Sequence, residues 1–495
     1  QAFIKAQLPD QFIDDFKTFF EAIRHPIAIR SSSLLEDSHY QPFAGIYSTY
    51  MIPYLDDKDE MLRMLAAAIK SVYASVYFKD SKAYMTATRN VIDQEKMAVI
   101  LQEVVGKQYG DHFYPNFSGV LRSINYYPLG YEKSEEGIAS LALGLGKYIV
   151  DGGQTLRVSP YHPAQVLQTS DMEIALRQTQ TQFYALDMKR VGVDFKVDDG
   201  FNILKLKVKD AENDGALNFI ASTYDANDRV IRDGLYDGGR KIVSFNGVLR
   251  HGVFPLPELL KLSMHHGADS MRRPVEIEFA CTLNDDRTGE FYLLQIRPIV
   301  DSKQVLDQDI MTIPDDKCLL RSHNSLGHGV SDDIVDVVYV KTDENFTASD
   351  NPVVAMEVER INKKFLADGK NYVLVGPGRW GSSDSWLGVP VKWPHISAAK
   401  LIVETTLKNY SVDPSQGTHF FQNLTSFGVG YFTIDENKGM GFFRKEILDA
   451  MPAVEETPHV RHVRFSKPLH IMMDGMKQEG LVICDTEDAK GNDAR

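Results

Sequence analysis

Two short runs near the middle of the chain carry side chains suited to a charged ligand. Glu276 and Glu278 lie two residues apart in VEIEFACTL, and Gln295 and Arg297 lie two apart in FYLLQIRPI. On an extended strand, residues two apart share a face. If the turn NDDRTG between the runs makes a hairpin, all four side chains meet in one cleft. Two carboxylates and an amide oxygen are hard ligands that suit Mg²⁺ on a nucleotide, and the guanidinium is a clamp for phosphate. The plainer alternative is a solvated strand face with a cross-strand Glu to Arg pair. Against it, Leu293, Leu294 and Ile296 make the second run read as buried on more than one side, and buried charges need partners.

Arg30 in IAIRSSSLLED is the third candidate. A guanidinium at the end of a buried strand, followed by Ser31 and two further serines, offers a planar fork, hydroxyls and successive backbone N–H groups to a polyphosphate. The loop beyond carries Ala44 and Gly45, where the backbone can approach a ligand closely. A pairing of Arg30 with Glu36 or Asp37 in an ordinary turn is the competing reading. VGPGRWG matches a dinucleotide glycine spacing literally, but Pro377 and Trp380 do not suit that turn and no helical pattern follows. It reads instead as a loop gathering Arg379, Trp380, Trp386 and Trp393, either a ligand or partner surface or a satellite core. HVRHVRF (459–465) alternates basic and apolar residues, as an edge strand with a solvated face does.

The elements that must position these groups follow from periodicity. DQFIDDFKTFFEAIR (10–24) spaces Phe12, Phe16, Phe19, Phe20 and Ile23 as an amphipathic helix, and a second helix is expected from about 57 to 78. Strands are expected at 27–29, in MAVILQEVV (97–105), in SGVLRS, and at 274–283 and 290–300; a helix is expected in the polar stretch 167–183. Beyond the polar segment 301–309, strands are expected at 335–340 and 371–375 and helices at 353–366 and 396–407. The alternation points to an α+β chain whose second part is α/β.

Composition narrows the function. The chain has 495 residues, enough for several domains. Its 54 Lys and Arg against 68 Asp and Glu leave a net charge of −14, which disfavours nucleic acid and anionic membrane as partners. Cys281, Cys318 and Cys484 lack the spacing of a zinc site or disulfide framework, so a reducing, cytoplasmic setting is expected. No apolar run approaches the roughly 18 residues of a membrane span. The chain opens on Gln1, without an initiator Met, as a processed or truncated piece of a longer protein does.

The blocks IAIRSSSLLEDSHYQPFAGIYSTY, MAVILQEVV, the SGV segment, GIASLALGLGKYIVDGG and IEFACTLNDDRTGEFYLLQIRPI occur in the order found in the nucleotide-binding domain of phosphoenolpyruvate synthase and pyruvate phosphate dikinase. The chain resembles that family over roughly residues 20–300. The resemblance implies an ATP-grasp-like module at 1–303; the pattern beyond it gives a second α/β domain of unassigned role at 310–484 and, from its polar composition, a flexible tail at 485–495. It implies ATP and Mg²⁺ as cofactors and a phosphotransferase activity directed at a histidine carrier, located in another domain or upstream in the same protein. Arg30, Glu278, Gln295 and Arg297 then surround phosphates and metal, with Arg30 and Arg297 catalytic. Glu276 stands where the family often has Asp and joins the metal set, Gly45 lies in the phosphate-covering loop, and Gln102, Glu103 and Val104 approach adenine.

The chain departs from the family in two respects. The family opens with a glycine-lysine block that this sequence does not contain, so either that piece precedes the given residues or the site is incomplete, and neither the carrier-histidine motif nor the pyruvate barrel is visible; LLRSHNSLGHGVSDDIVDVVYVK resembles the opening of the swivelling domain only loosely. His419, after Gly417 and Thr418, echoes the carrier motif as a substitute acceptor, and His328 in LGHGV is a weaker one; the alternative is that both are loop residues bonded locally. A non-catalytic nucleotide-binding regulatory or scaffolding module is the competing function.

Overall fold

A computed structural model of the protein describes residues 2–33, 47–78, 81–82, 96–125, 132–170, 172–189, 200–299, 310–342, 346–382, 384–406, 429–475 and 477–484. It mixes helices and strands throughout.

The first sheet is small. Its central strand β1 (Ile27–Ser33) pairs antiparallel with β2 (Tyr50–Ile52) on one side and β3 (Met97–Glu103) on the other. Helices α1 (Asp10–Ala22) and α2 (Lys58–Ser75) pack near it. Of the expected stripe on α1, Phe20 and Ile23 are buried while Phe12 stays exposed. Asp57 starts α2 by accepting from the N–H groups of Asp59 and Glu60 at 3.0 Å each, satisfying two donors that a helix start leaves open. Ile27 and Ile29 join Tyr50, Ile52, Met61, Leu65 and Val72 in one core. Because successive side chains alternate, that burial turns Ala28 and Arg30 to the other face.

The second sheet is five-stranded and antiparallel. It contains β4 (Phe117–Arg122), β5 (Ile138–Ala142), β6 (Leu156–Val158), β7 (Val275–Leu283) and β8 (Gly289–Pro298), in the order β8-β7-β4-β5-β6. The expected hairpin is present, with Glu276 opposite Arg297 and Glu278 opposite Gln295. One step further Phe279 faces Leu293, so Leu294 is the extra residue of a β-bulge. The bulge corrects the expectation that β8 is buried on several sides: Leu293 is 50% exposed, while Leu294 turns into the cleft. Helix α3 (Leu256–Met271) packs on β7. Two smaller sheets share the same core, in which Phe113, Phe183, Phe245, Ile277 and Phe279 meet. Within 167–183 the helix shrinks to Met172–Gln178 and a strand starts at Gln182.

Residues 318–483 build one large mixed sheet. Its strands are β9 (Cys318–Ser322), β10 (Ser325–Leu326), β11 (His328–Val340), β12 (Tyr372–Pro377), β13 (Ala399–Thr405), β14 (Gly430–Ile434), β15 (Phe442–Phe443), β16 (Ala453–Glu456), β17 (Val460–Asp474) and β18 (Glu479–Ile483). They run in the order β10-β14-β13-β12-β11-β17-β18-β9-β15, with β16 pairing β17. Strands β11 to β14 are parallel, and α4 (Asn351–Asp368) makes the crossover from β11 to β12, as a parallel pair requires. The helix expected at 396–407 is instead β13. Leu401, Ile402 and Val403 are all buried, and a strand covered on both faces gives a continuous apolar run that periodicity cannot separate from a buried helix.

HVRHVRF is likewise not an edge strand, because this stretch of β17 pairs with β11 on one side and β16 on the other. Its basic residues serve a buried partner: Asp336, 1% exposed, bonds Nε2 of His462 at 2.6 Å and accepts from Nε of Arg464 at 2.8 Å. The three cysteines are buried and free. No helix among the described residues is long and apolar enough to cross a membrane.

Burial alone would raise the Asp336 carboxyl, but hydrogen bonds from His462 and Arg464 outweigh it and hold the group below the usual range. A carboxyl depressed on folding contributes stability above its unfolded pKa of about 3.9 and loses it as pH falls through the folded value. Asp336→Asn should therefore lower stability at pH 7 by about 3 kcal/mol and flatten the acid limb of a denaturation series. An unchanged acid limb would show that the cluster contributes nothing.

Candidate functional site

The first two sheets face each other across a cleft of about 210 Å³. Strand β1 contributes Ala28, Arg30 and Ser31, and the segment ending β3 contributes Gln102 to Val105. The floor is made by Gly119 and Val120 of β4 and by Glu278 to Ala280 of β7, with Leu294 and Arg297 from β8. Gly119 is obligatory here, since a Cβ would stand 2.1 Å from the Phe279 ring.

Arg30 spans the cleft. Its Nη1 donates to Gln102 Oε1 at 3.2 Å within its own sheet, and its Nη2 donates to Gln295 Oε1 and lies 3.5 Å from Glu278 Oε2 in the other. Arg297 Nη2 donates to the same Gln295 oxygen at 2.9 Å. Five of the expected residues therefore form one connected group, and Ser31 lies beside it on the cleft wall.

Glu276 has another role. Its carboxylate accepts from Arg122 Nε at 2.7 Å and lies 2.5 Å from Arg122 Nη2, with both side chains buried. The i, i+2 rule correctly put Glu276 and Glu278 on one face, but Arg122 on the adjacent β4 takes the first of them. With its carboxylate held in that buried pair, Glu276 leaves the metal-ligand set. Gly45 and His419 lie outside the described residues. The backbone of His328 opens β11 opposite Asp474, so it is a strand residue and not a loop one. Trp380 and Trp393 are buried in a core with Val338 and Val389, whereas Trp386 is 69% exposed; the three tryptophans do not gather.

At the far end of the cleft, β3 is an edge strand. The Val104 N–H donates to Pro26 O at 2.7 Å, and alternation along an antiparallel pair then points the Glu103 carbonyl and the Val105 N–H to the open edge. The Glu103 carboxylate turns away, accepting from the N–H groups of Arg24 and His25 at 2.8 and 3.3 Å. The expected trio is thus refined: Gln102 serves Arg30, the Val104 amide is already bonded, and Val105 was missed. Lys147 was also missed. It lines the cleft 3.4 Å from Asp151, and the available signal was the Gly-Leu-Gly-Lys run that opens a short helix. Ile100 stands opposite Arg30, so the open edge at Glu103 lies three residues away, about 10 Å at the usual strand rise.

A backbone edge open to a flat polar heterocycle at one end, and two guanidinium groups with a carboxylate at the other, define a nucleotide-binding cleft. Residues 1–317 match the family described as pyruvate phosphate dikinase, AMP/ATP-binding domain, and the chain belongs to that family. It is also 29% identical over 149 residues to an uncharacterized phosphotransferase, YvkC, of Bacillus subtilis (strain 168), a stretch covering 30% of this chain and 16% of that protein.

The two glutamates should separate in experiment. Glu276→Gln leaves the buried Arg122 without its counter-charge, and loss of one partner from such a pair typically costs about 3 to 5 kcal/mol. Chemical denaturation should show that loss for Glu276→Gln and a far smaller one for Glu278→Gln, whose side chain is 21% exposed. Equal losses would contradict the division of roles.

Proposed function

We propose that the N-terminal part is an ATP-grasp-like module that holds Mg-ATP and passes a phosphoryl group to a histidine carried by another domain or another chain. The observation that carries this reading is the group formed by Arg30, Gln295, Arg297 and Glu278 across the cleft. Adenine would lie along the Glu103 to Val105 edge, and Arg30 and Arg297 would grip the phosphates, exchanging contacts with Gln295 and Glu278 for contacts with phosphate oxygens.

The donor set suits Mg²⁺. Glu278 offers a carboxylate and Gln295 an amide oxygen, and this cation is commonly held by one or two protein oxygens with substrate phosphates completing its shell. When bound, the ion would neutralise charge on the transferred group. The chain's own residues do the rest: Arg30 and Arg297 orient the phosphates and stabilise charge on the moving phosphoryl group, and Phe279 and Leu294 wall the cleft against water. The incoming imidazole nitrogen forms the new N–P bond as the bond from phosphorus to the nucleotide oxygen breaks, and the nucleotide leaves with that electron pair. The proposal divides the chain near 301–309, with a second domain following and an unassigned acceptor. A regulatory or scaffolding module that binds nucleotide without transfer is the second reading.

Calorimetry should show ATP binding that requires Mg²⁺. Arg297→Ala and Glu278→Gln should reduce transfer to an added carrier about a hundredfold or more with little effect on folding. Tight binding with no transfer to any histidine, in a protein extended upstream of Gln1, would favour the regulatory reading. Absence of binding at millimolar nucleotide would sink both.

A further inference from the structure

Tyr47 belongs to two environments at once. It lines the cleft and is 5% exposed, yet it joins the core of the C-terminal sheet, together with Val76, Ile299, Val338 and Trp380. Its position along the first sheet follows from where β2 begins. Ile29 stands opposite Tyr50, the first residue of β2, and Tyr47 and Thr49, which lead into β2, line the cleft beside Arg30. On the other side of β1, Ser33 stands opposite Met97, and Met97 also packs at the margin of that C-terminal core. The C-terminal part therefore meets the first sheet at the end beyond Arg30, away from the open edge at Glu103.

An electrostatic link lies across the cleft wall. Tyr148, whose short helix begins at the cleft residue Lys147, has its phenol pushed up to about 12, first by burial, and the charges of Asp384 and Arg379 also act on it. Charge from the loop after β12 is thus felt at this helix, while Tyr47 packs into the C-terminal core on the side of the first sheet.

We propose that the C-terminal sheet closes the phosphate end of the cleft, and that Tyr47 is a positioning residue through which occupancy beyond the first phosphate is coupled to the segment 372–382. This rests on the nucleotide reading above. A ligand that stops at one phosphate reaches Arg30 and goes no further, whereas the outer phosphates of ATP extend toward Ser32, Tyr47 and the C-terminal core. The expected ligand selectivity is for nucleoside triphosphate over monophosphate, and the chain's second half is a part of the site instead of an independent attachment.

Hydrogen exchange on the full chain with Mg²⁺ tests this, comparing ATP, AMP and no nucleotide. ATP should slow exchange in 372–382 several-fold, and AMP should protect 97–105 without protecting 372–382. Tyr47→Phe should keep the ATP response, and Tyr47→Ala should lose it together with about tenfold of the preference for ATP over AMP, while its 97–105 protection by AMP persists and reports an intact fold. Protection by ATP confined to residues 27–298, or equal protection of 372–382 by both nucleotides, would overturn the coupling. If neither nucleotide protects any part of 27–298, the nucleotide reading fails and the coupling with it.

Discussion

The Arg30 guanidinium sits on a strand whose other face is committed to a core of Ile27, Ile29 and Tyr50, so it must project into the cleft with its side chain only 19% exposed. A charge so shielded needs partners, and the sheet it belongs to supplies one neutral oxygen, from Gln102. The remaining acceptors, Gln295 and Glu278, come from the opposing sheet. Much of the first 299 residues can be read as what is needed to hold those partners in place. The β7–β8 hairpin sets them opposite each other, the bulge at Leu294 shifts the alternation just beyond them, and the buried pair of Arg122 and Glu276 ties β7 to β4 beneath them. Such an arrangement is suited to exchange, because a polyphosphate presents the same guanidinium with more oxygens than two side chains can.

How much of this was legible in the sequence depended on whether the information was local. The hairpin was, since β-branched and aromatic residues flank a clear turn, and so was the shared face of Gln295 and Arg297. Helices α1, α2 and α4 were recovered to within a few residues from their apolar spacing. The fate of Glu276 was not legible, because its partner Arg122 is 154 residues away and nothing in VEIEFACTL announces it. Strand β13 failed for a related reason: burial on both faces removes the alternation that marks a strand. HVRHVRF failed because a buried Asp336, on a neighbouring strand, reverses the usual meaning of basic residues in an alternating pattern. The difference between Val104 and Val105 at the open edge of β3 required the actual hydrogen bond to Pro26.

Membership of the pyruvate phosphate dikinase AMP/ATP-binding family covers residues 1–317 and so accounts for the cleft. The large sheet from 318 to 483 has its own core, and a second core that it shares with Tyr47, Val76 and Ile299. Such sharing is what separates an appended module from one that depends on its neighbour, since an apolar contact at the mouth of a cleft makes the cleft's shape a property of both halves.

The central claim is that the groups joining Arg30 to the opposing sheet mark the phosphate site. A crystal structure of the full chain with Mg²⁺ and a non-hydrolysable ATP analogue tests it most directly. The account requires phosphate oxygens within hydrogen-bond distance of both Arg30 and Arg297, and adenine against the Glu103 carbonyl and the Val105 N–H. A nucleotide bound elsewhere, with Arg30 still paired to Gln295 and Glu278, would contradict it.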